Sequence, residues 1–133
     1  GRCIELHMGN SMAPASPFHD LHARAADLVR LIADASARNP ALDMIRSDSW
    51  LNSFRPFLRL FPPQWAASRS PARPLGYSYN WWGQFVTRAG AFHRGNAEHL
   101  RRTGDFPYPS VTCSCTLRAL RLHLRDGFGA PCP

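Results

Sequence analysis

The chain has 133 residues and a net charge of +7 at pH 7, with 44% hydrophobic and 19% charged residues. That apolar share excludes a chain disordered along its whole length, and the length corresponds to one domain. The sequence has no run of about eighteen apolar residues, which a membrane-spanning helix would need. All sixteen basic residues are arginine, so the positive surface consists of guanidinium groups, which pair with phosphate and carboxylate groups.

Residues 1–15 show no clear period and are predicted to form an extended N-terminal arm. The first predicted helix covers residues 17–38, because Ser16 can cap it and Pro17 suits the first helical position. Pro40 ends this helix, since the residue before a proline avoids the helical conformation. Its apolar residues recur at helical spacing and form one stripe: Leu21, Ala25, Leu28, Ile32 and Ala35.

The next segment is rich in aromatic residues and is predicted to form a short or kinked helix at 48–61. Pro56 lies inside it, and Pro62-Pro63 ends it, because proline lacks the amide hydrogen that a helix interior requires. Residues 66–76 are predicted to be a basic, proline-rich loop.

A third helix is predicted at 81–101. Two glycines inside it weaken it, each by about 1 kcal/mol relative to alanine. Trp81 and Trp82 at its start are predicted to anchor the core or an interface. The alternative is a stacking platform for single-stranded nucleic acid, formed with Tyr77 and Tyr79.

The clearest pattern is a last helix at 112–126, with Thr112 as its cap and Gly127 at its C-terminal end. One face is apolar: Cys113, Leu117, Leu120 and Leu124. Another face carries Arg118, Arg121 and Arg125. The sequence thus predicts an all-α fold, a small irregular domain of three to four helices at 16–133 with proline-rich connections, following the arm. Short strands at 77–79 or 110–113 are the alternative.

Four cysteines could form two disulfides with three connectivities, or remain buried thiols. On a helix, Cys113 and Cys115 would point about 200° apart, which makes them poor partners for each other. Cys113, Cys115, His123 and Cys132 are ligand types that suit zinc, but their spacing matches no standard zinc motif. Buried thiols or a disulfide are therefore favoured over zinc, and we expect no cofactor.

Catalytic patterns are missing from the sequence. The acidic residues are scattered, and no phosphate-binding or dinucleotide-binding glycine motif is present. His93 and His99 would point about 240° apart on one helix, which rules out a shared ligand face. We therefore expect a protein without enzymatic activity.

The leading functional hypothesis is a basic accessory subunit of a larger assembly, such as an organellar ribosome or a respiratory-type complex, located in mitochondria. Such a subunit would bind an acidic surface of other protein subunits, or RNA, through an arginine-rich helix face. The alternatives are a secreted, disulfide-stapled helical effector or ligand and a stand-alone RNA-binding protein; an anionic lipid surface is a further class of partner. The predicted partner-binding residues are Arg101, Arg102, Arg118, Arg121, Arg125, Trp81 and Trp82.

Overall fold

The computed structural model describes residues 2–71 and 79–130. Over those residues the chain is 48% helical and 15% strand. The strands are β1 (Cys3–Glu5), β2 (Met44–Ser49) and β3 (Val111–Thr116), and the α-helices are α1 (Leu21–Arg38), α2 (Arg55–Leu58), α3 (Pro63–Ala67), α4 (Arg94–Thr103) and α5 (Leu117–Phe128). Two 3-10 segments lie at Trp50–Ser53 and Tyr79–Phe85. The all-α prediction is therefore wrong. No helix in these two ranges has the length and apolar character that crossing a membrane requires.

The three strands form one mixed sheet in the order β1-β2-β3. Strand β1 runs parallel to β2, and α1 connects them as a βαβ unit, while β3 pairs antiparallel with β2. Ile4, Ile45 and Cys115 lie in register across the sheet and point to the same face. The opposite face carries the ion pair between Arg46 and Glu5 at 3.1 Å. One face of the sheet is thus covered by the core and the other is polar.

Strand β3 occupies the first part of the predicted helix at 112–126. Its residues alternate, with Val111, Cys113 and Cys115 buried and the residues between them less so. This period of two requires a strand. Helix α5 begins only at Leu117, where the Thr116 hydroxyl caps it by accepting from the amide of Ala119 at 3.1 Å. The helix ends at Phe128 rather than before Gly127, because Gly129 takes up the left-handed conformation, with φ of 62°.

Helix α1 confirms the predicted apolar stripe, since Ala25, Leu28 and Ile32 are buried. It begins at Leu21 instead of residue 17. The Asp20 carboxylate caps it by accepting from the amide of Ala23 at 3.0 Å. The Ser16 hydroxyl instead accepts from the amide of Phe18 at 3.3 Å, in the turn before the helix.

The predicted helix at 48–61 is replaced by the end of β2, a 3-10 turn and the four residues of α2. Pro56 explains the short helix, because proline fits only in the first turn. Helix α3 likewise begins at Pro63 and includes the first residues of the predicted loop. After it, the amide of Ser70 donates to the carbonyl of Thr112 at 3.0 Å and covers part of the outer edge of β3. Residues 72–76 of that loop lie outside the described residues.

The predicted helix at 81–101 is also divided. Its first part is the 3-10 segment, followed by a tight hairpin in which Val86 pairs with Phe92. Gly90 in this hairpin has φ of 79°, a left-handed conformation that interrupts any helix. Helix α4 begins afterwards, where Nδ1 of His93 accepts from the amide of Asn96 at 3.2 Å. The alternative strand at 77–79 falls largely on residues that the structure does not describe.

A single cluster of buried apolar side chains joins the sheet to α1, α2, α3 and α5. Within it, the ring of Phe61 is tilted against that of Phe57, with centroids 4.9 Å apart, and stacks on that of Trp65 at 4.0 Å. Asn52 is buried beside them and donates to the carbonyls of Ser47 and Val111 at 2.9 and 2.8 Å. Its carbonyl oxygen accepts from the Trp65 indole at 3.0 Å. The amide nitrogen and the oxygen of the Asn52 side chain are therefore both hydrogen-bonded.

Candidate partner-binding groove beside helix α5

The leucine face of α5 is its core face. Leu117, Leu120 and Leu124 are all buried, and the helix packs against α1 and β3. The opposite face is left to solvent, with Arg118 and Arg125 exposed. Between these arginines lies Leu122, which is 41% exposed although it is a large apolar residue. The outer face of α5 is therefore both cationic and apolar.

A groove of about 700 Å³ runs beside this face, and we name it the α5 groove. One wall is formed by Pro62–Gln64 at the start of α3, where the two proline rings fix the backbone. The other wall is the outer face of α5. The α5 groove is lined by Pro62, Pro63, Gln64, Thr116, Arg118, Ala119, Leu122, His123, Asp126 and Gly127.

The three arginines predicted on α5 have different environments. Arg118 is exposed on the α5 groove and has no acidic partner within residues 2–71 and 79–130. Arg125 pairs with Asp126 at 2.8 Å, and both side chains are more than half exposed. Arg121 is half-buried and reaches α1, where its Nη2 donates to the Ser36 hydroxyl at 3.0 Å. Arg118 is therefore the arginine of this face that is most available to a partner.

His123 fixes the position of the neighbouring turn. Its Nε2 lies 3.1 Å from the carbonyl oxygen of Arg59, so Nε2 carries the proton and donates it. The ring also meets Phe128 edge-on, with centroids 6.0 Å apart. This bond brings Arg59 against α5, and its exposed guanidinium has no acidic partner in the part of the chain that is described. The backbone of Arg59 thus lies beside the groove.

The other predicted arginines lie elsewhere. Arg101 and Arg102 are exposed in the last turn of α4, and Arg101 lies 3.6 Å from Glu98. Helix α4 packs against the 3-10 segment Tyr79–Phe85, whereas α5 packs against α1 and β3. The two groups of arginines therefore belong to different parts of the fold.

The two tryptophans that were predicted to bind a partner differ in their burial. Trp81 is buried, and its ring centroid is 4.8 Å from that of Phe106. Trp82 is 52% exposed and also contacts Phe106, at 5.7 Å. Trp81 is thus a packing residue and Trp82 an exposed aromatic. Tyr77 and the side chain of Tyr79, the other rings of the predicted stacking platform, lie outside the described residues.

Of the four residues considered for zinc, Cys113, Cys115 and His123 do not gather into one group, and Cys132 lies outside the described residues. Cys113 and Cys115 are free thiols that point to the same buried face of β3, since residues two apart on a strand share a face. The prediction that they diverge was wrong because it assumed a helix. Cys3 is free and exposed, and Cys132 lies outside the described residues. No group of three metal-binding side chains occurs within residues 2–71 and 79–130.

Burial controls the chemistry of both core thiols. Desolvation raises the pKa of the Cys115 thiol to about 12. Desolvation also raises the pKa of Cys113, and the nearby charge of Arg69 opposes that rise. Because the thiolate is the nucleophile, neither thiol is suited to nucleophilic catalysis near neutral pH.

Comparison with known proteins finds no family model, no curated protein and no solved structure that matches this chain. Arguments about function therefore depend on the geometry of the molecule itself.

Sequence patterns missed part of the α5 groove. The Pro62–Gln64 wall is far from α5 in the sequence, and only the fold brings the two together. Leu122 could have been found, because it is an apolar residue on the polar face of an otherwise regular amphipathic helix.

Proposed function

We propose that this protein is a non-catalytic subunit of a larger assembly, such as an organellar ribosome or a respiratory-type complex. In this proposal the α5 groove binds an amphipathic, acidic segment of a partner protein. The observation that carries it is the exposed side chain of Leu122 next to Arg118, a cation without an acidic partner in the described chain.

The distribution of charge supports an acidic partner. Acidic side chains pair with seven arginines of the described chain: Arg2, Arg24, Arg30, Arg38, Arg46, Arg101 and Arg125. Arginines outnumber acidic residues sixteen to nine, so arginines such as Arg59 and Arg118 have no acidic partner in the described chain. Arginine pairs with carboxylates through two parallel hydrogen bonds, so a carboxylate of a partner can engage Arg118 directly.

The chemistry of the α5 groove favours a protein over RNA. Surfaces that bind single-stranded nucleic acid combine several cations with aromatic rings on which bases stack. The α5 groove instead presents the aliphatic side chains of Ala119 and Leu122, and its one aromatic ring, that of His123, is held by Arg59. Leucine side chains beside glutamate side chains on a partner helix would match these features.

The free thiols weigh against the secreted alternative. A disulfide-stapled effector requires paired cysteines, but Cys3, Cys113 and Cys115 are free. Cys113 and Cys115 also occupy core positions on the sheet, where they behave as small apolar residues.

The proposal can be tested with a fluorescein-labelled helical peptide that carries leucine at i and i+4 with glutamates beside them. We expect it to bind the wild-type chain, as measured by fluorescence anisotropy at low salt. Arg118→Glu should weaken binding about tenfold or more, because a charge-assisted hydrogen bond contributes roughly 1.5–3 kcal/mol and the new carboxylate repels the peptide. Circular dichroism should show an unchanged fold, since surface substitutions cost little.

Arg102→Glu is the matched control, because it changes the net charge equally on exposed α4. It should change binding by less than about twofold if the groove, and not the overall charge, attracts the peptide. Equal losses in both variants would contradict the proposal. So would tighter binding of a poly-uridine RNA than of the peptide, since that result would support the RNA-binding alternative.

A further inference from the structure

A second groove, which we name the arm groove, lies between the N-terminal arm and the hairpin after the 3-10 segment. It has a volume of about 1230 Å³. Sites for small molecules usually measure roughly 300–1000 Å³, so the arm groove has room for one. Met8 of the arm and Pro17 of the turn before α1 lie on one wall, and Thr87 and Gly90 lie on the wall formed by the hairpin.

The apolar surface of the arm groove is a cluster of packed rings. The rings of Trp50 and Tyr108 have centroids 5.7 Å apart, and those of Phe54 and Tyr108 are also 5.7 Å apart. Phe18, in the turn before α1, joins them, 5.6 Å from Phe54. Rings that contact each other in this way hold their positions, so the surface is formed before any ligand arrives.

Two polar residues of the arm groove are already used by the fold. Gln84 is buried and bonds through its amide nitrogen to the carbonyls of Trp81 and Tyr108, at 2.9 and 3.0 Å. Its oxygen accepts from the amide of Tyr108 at 2.9 Å. The amide nitrogen of Asn96 donates to the carbonyl of Gln84 at 2.6 Å. These bonds fix the hairpin wall and leave ligand binding to other groups.

The arm groove also contains side chains that can donate hydrogen bonds. The Trp50 indole and the Tyr108 hydroxyl have no hydrogen-bond partner among residues 2–71 and 79–130. His93 uses Nδ1 as the acceptor that caps α4, so its neutral ring carries the proton on Nε2. Arg88 is exposed on the hairpin and has no acidic partner in the described chain. No aspartate or glutamate lines this groove over the described residues.

We propose that the arm groove binds a small organic anion, with a carboxylate attached to an aromatic or short aliphatic body. The rings of Trp50, Phe54 and Tyr108 would contact the body. The carboxylate accepts hydrogen bonds only, so it matches Arg88 and the ring N–H of His93. The positive end of the α4 dipole lies at His93 and adds to the attraction.

A matched pair of probes tests this proposal: 3-phenylpropionate and its uncharged analogue 3-phenylpropionamide. Titration is followed by the indole N–H resonances in a ¹H–¹⁵N spectrum, where Trp50→Phe identifies the Trp50 signal. Phenylpropionate should shift that signal at millimolar concentration and bind about tenfold more tightly than the amide, because only the acid forms the charged pair. Arg88→Gln should remove this preference and leave binding of the amide unchanged.

His93→Asn provides a second variant that keeps the fold, because asparagine also caps helices well. It should weaken binding of phenylpropionate severalfold, since it lacks the imidazole N–H. The site would be ruled out by equal binding of acid and amide to the wild-type chain. A titration that shifts the exposed Trp82 signal and leaves Trp50 unmoved would exclude it as well. Arg88→Gln should still bind the acidic peptide at the α5 groove, so the two proposals can fail separately.

Discussion

At the residue scale, buried polar atoms link the sheet to the helices that cover it. The Asn52 side chain connects the carbonyl of Ser47 on β2 with that of Val111 on β3. It also accepts from Trp65 on α3, and so joins three elements through one side chain. Its position could not be predicted from the sequence, because Asn52 and Val111 are 59 residues apart. An isolated asparagine reads as a turn residue until the fold shows what surrounds it.

The thiols offer a prediction at the same scale. At pH 8, iodoacetamide should modify Cys3 quickly, while Cys113 and Cys115 should react only after the chain unfolds. Burial blocks access to both core thiols and raises the pKa of Cys115 to about 12, so about one molecule in ten thousand carries that thiolate at pH 8. Peptide mass spectrometry after timed alkylation would measure each site. Modification of Cys115 as fast as Cys3 in the folded protein would show that β3 is not buried as described.

The same pKa has a consequence for stability. The folded state holds the Cys115 proton more tightly than the unfolded state, whose pKa lies near the ordinary value of 9.0. The stability that this difference in pKa contributes to the folded state is fully present below pH 9. It is lost as the pH rises from about 9 to about 12.

At the element scale, the segment predicted as one helix at 112–126 is divided between strand β3 and helix α5. The predicted helix covered both, because Cys113 and Leu117 are four residues apart, which fits a helical stripe. Two buried cysteines two residues apart fit a strand equally well, and short apolar patterns do not distinguish the two. Strands β1 and β2 are harder still: β1 has three residues, and its parallel partner lies 41 positions away. Long amphipathic stretches such as α1 and the leucine face of α5 were predictable because each repeats over several turns.

Two leucines on α5 provide a matched test of which face of this helix is buried. Leu117→Asp should destabilise the fold by about 3 kcal/mol or more, because Leu117 is 2% exposed and the new carboxylate would be buried without a partner. Leu122→Asp should change the free energy of unfolding by less than about 0.5 kcal/mol, since that side chain is on the surface. Urea unfolding followed by circular dichroism measures both. Similar losses in the two variants would mean that α5 does not present these faces as the structure shows.

At the scale of the whole molecule, the chain has a well-packed part and a lightly attached part. The core cluster includes side chains from the sheet, α1, α2, α3 and α5. Helix α4 instead buries one residue, Ala97. The segment from Trp81 to Tyr108 is joined at its two ends through Gln84, which bonds to both of those residues. The only sign of this division in the sequence was the pair of glycines that weaken the predicted helix at 81–101, and one of them, Gly90, interrupts that helix in the structure.

This division predicts a gradient in hydrogen exchange. Amides in β2, β3 and α5 should exchange slowest, because they open only when the whole core does. Gln84→Ala removes three hydrogen bonds, so exchange in the hairpin and α4 should accelerate about a hundredfold, since each lost bond is worth roughly 1 kcal/mol and the segment opens by itself. Gln64→Ala is the matched control, because Gln64 is exposed on α3 and its loss should change neither region. Mass spectrometry of peptic fragments resolves the two parts. If Gln84→Ala accelerated exchange equally in β3 and α5, the hairpin and α4 would belong to the same cooperative unit as the core, and the arm groove would then be as rigid as the sheet.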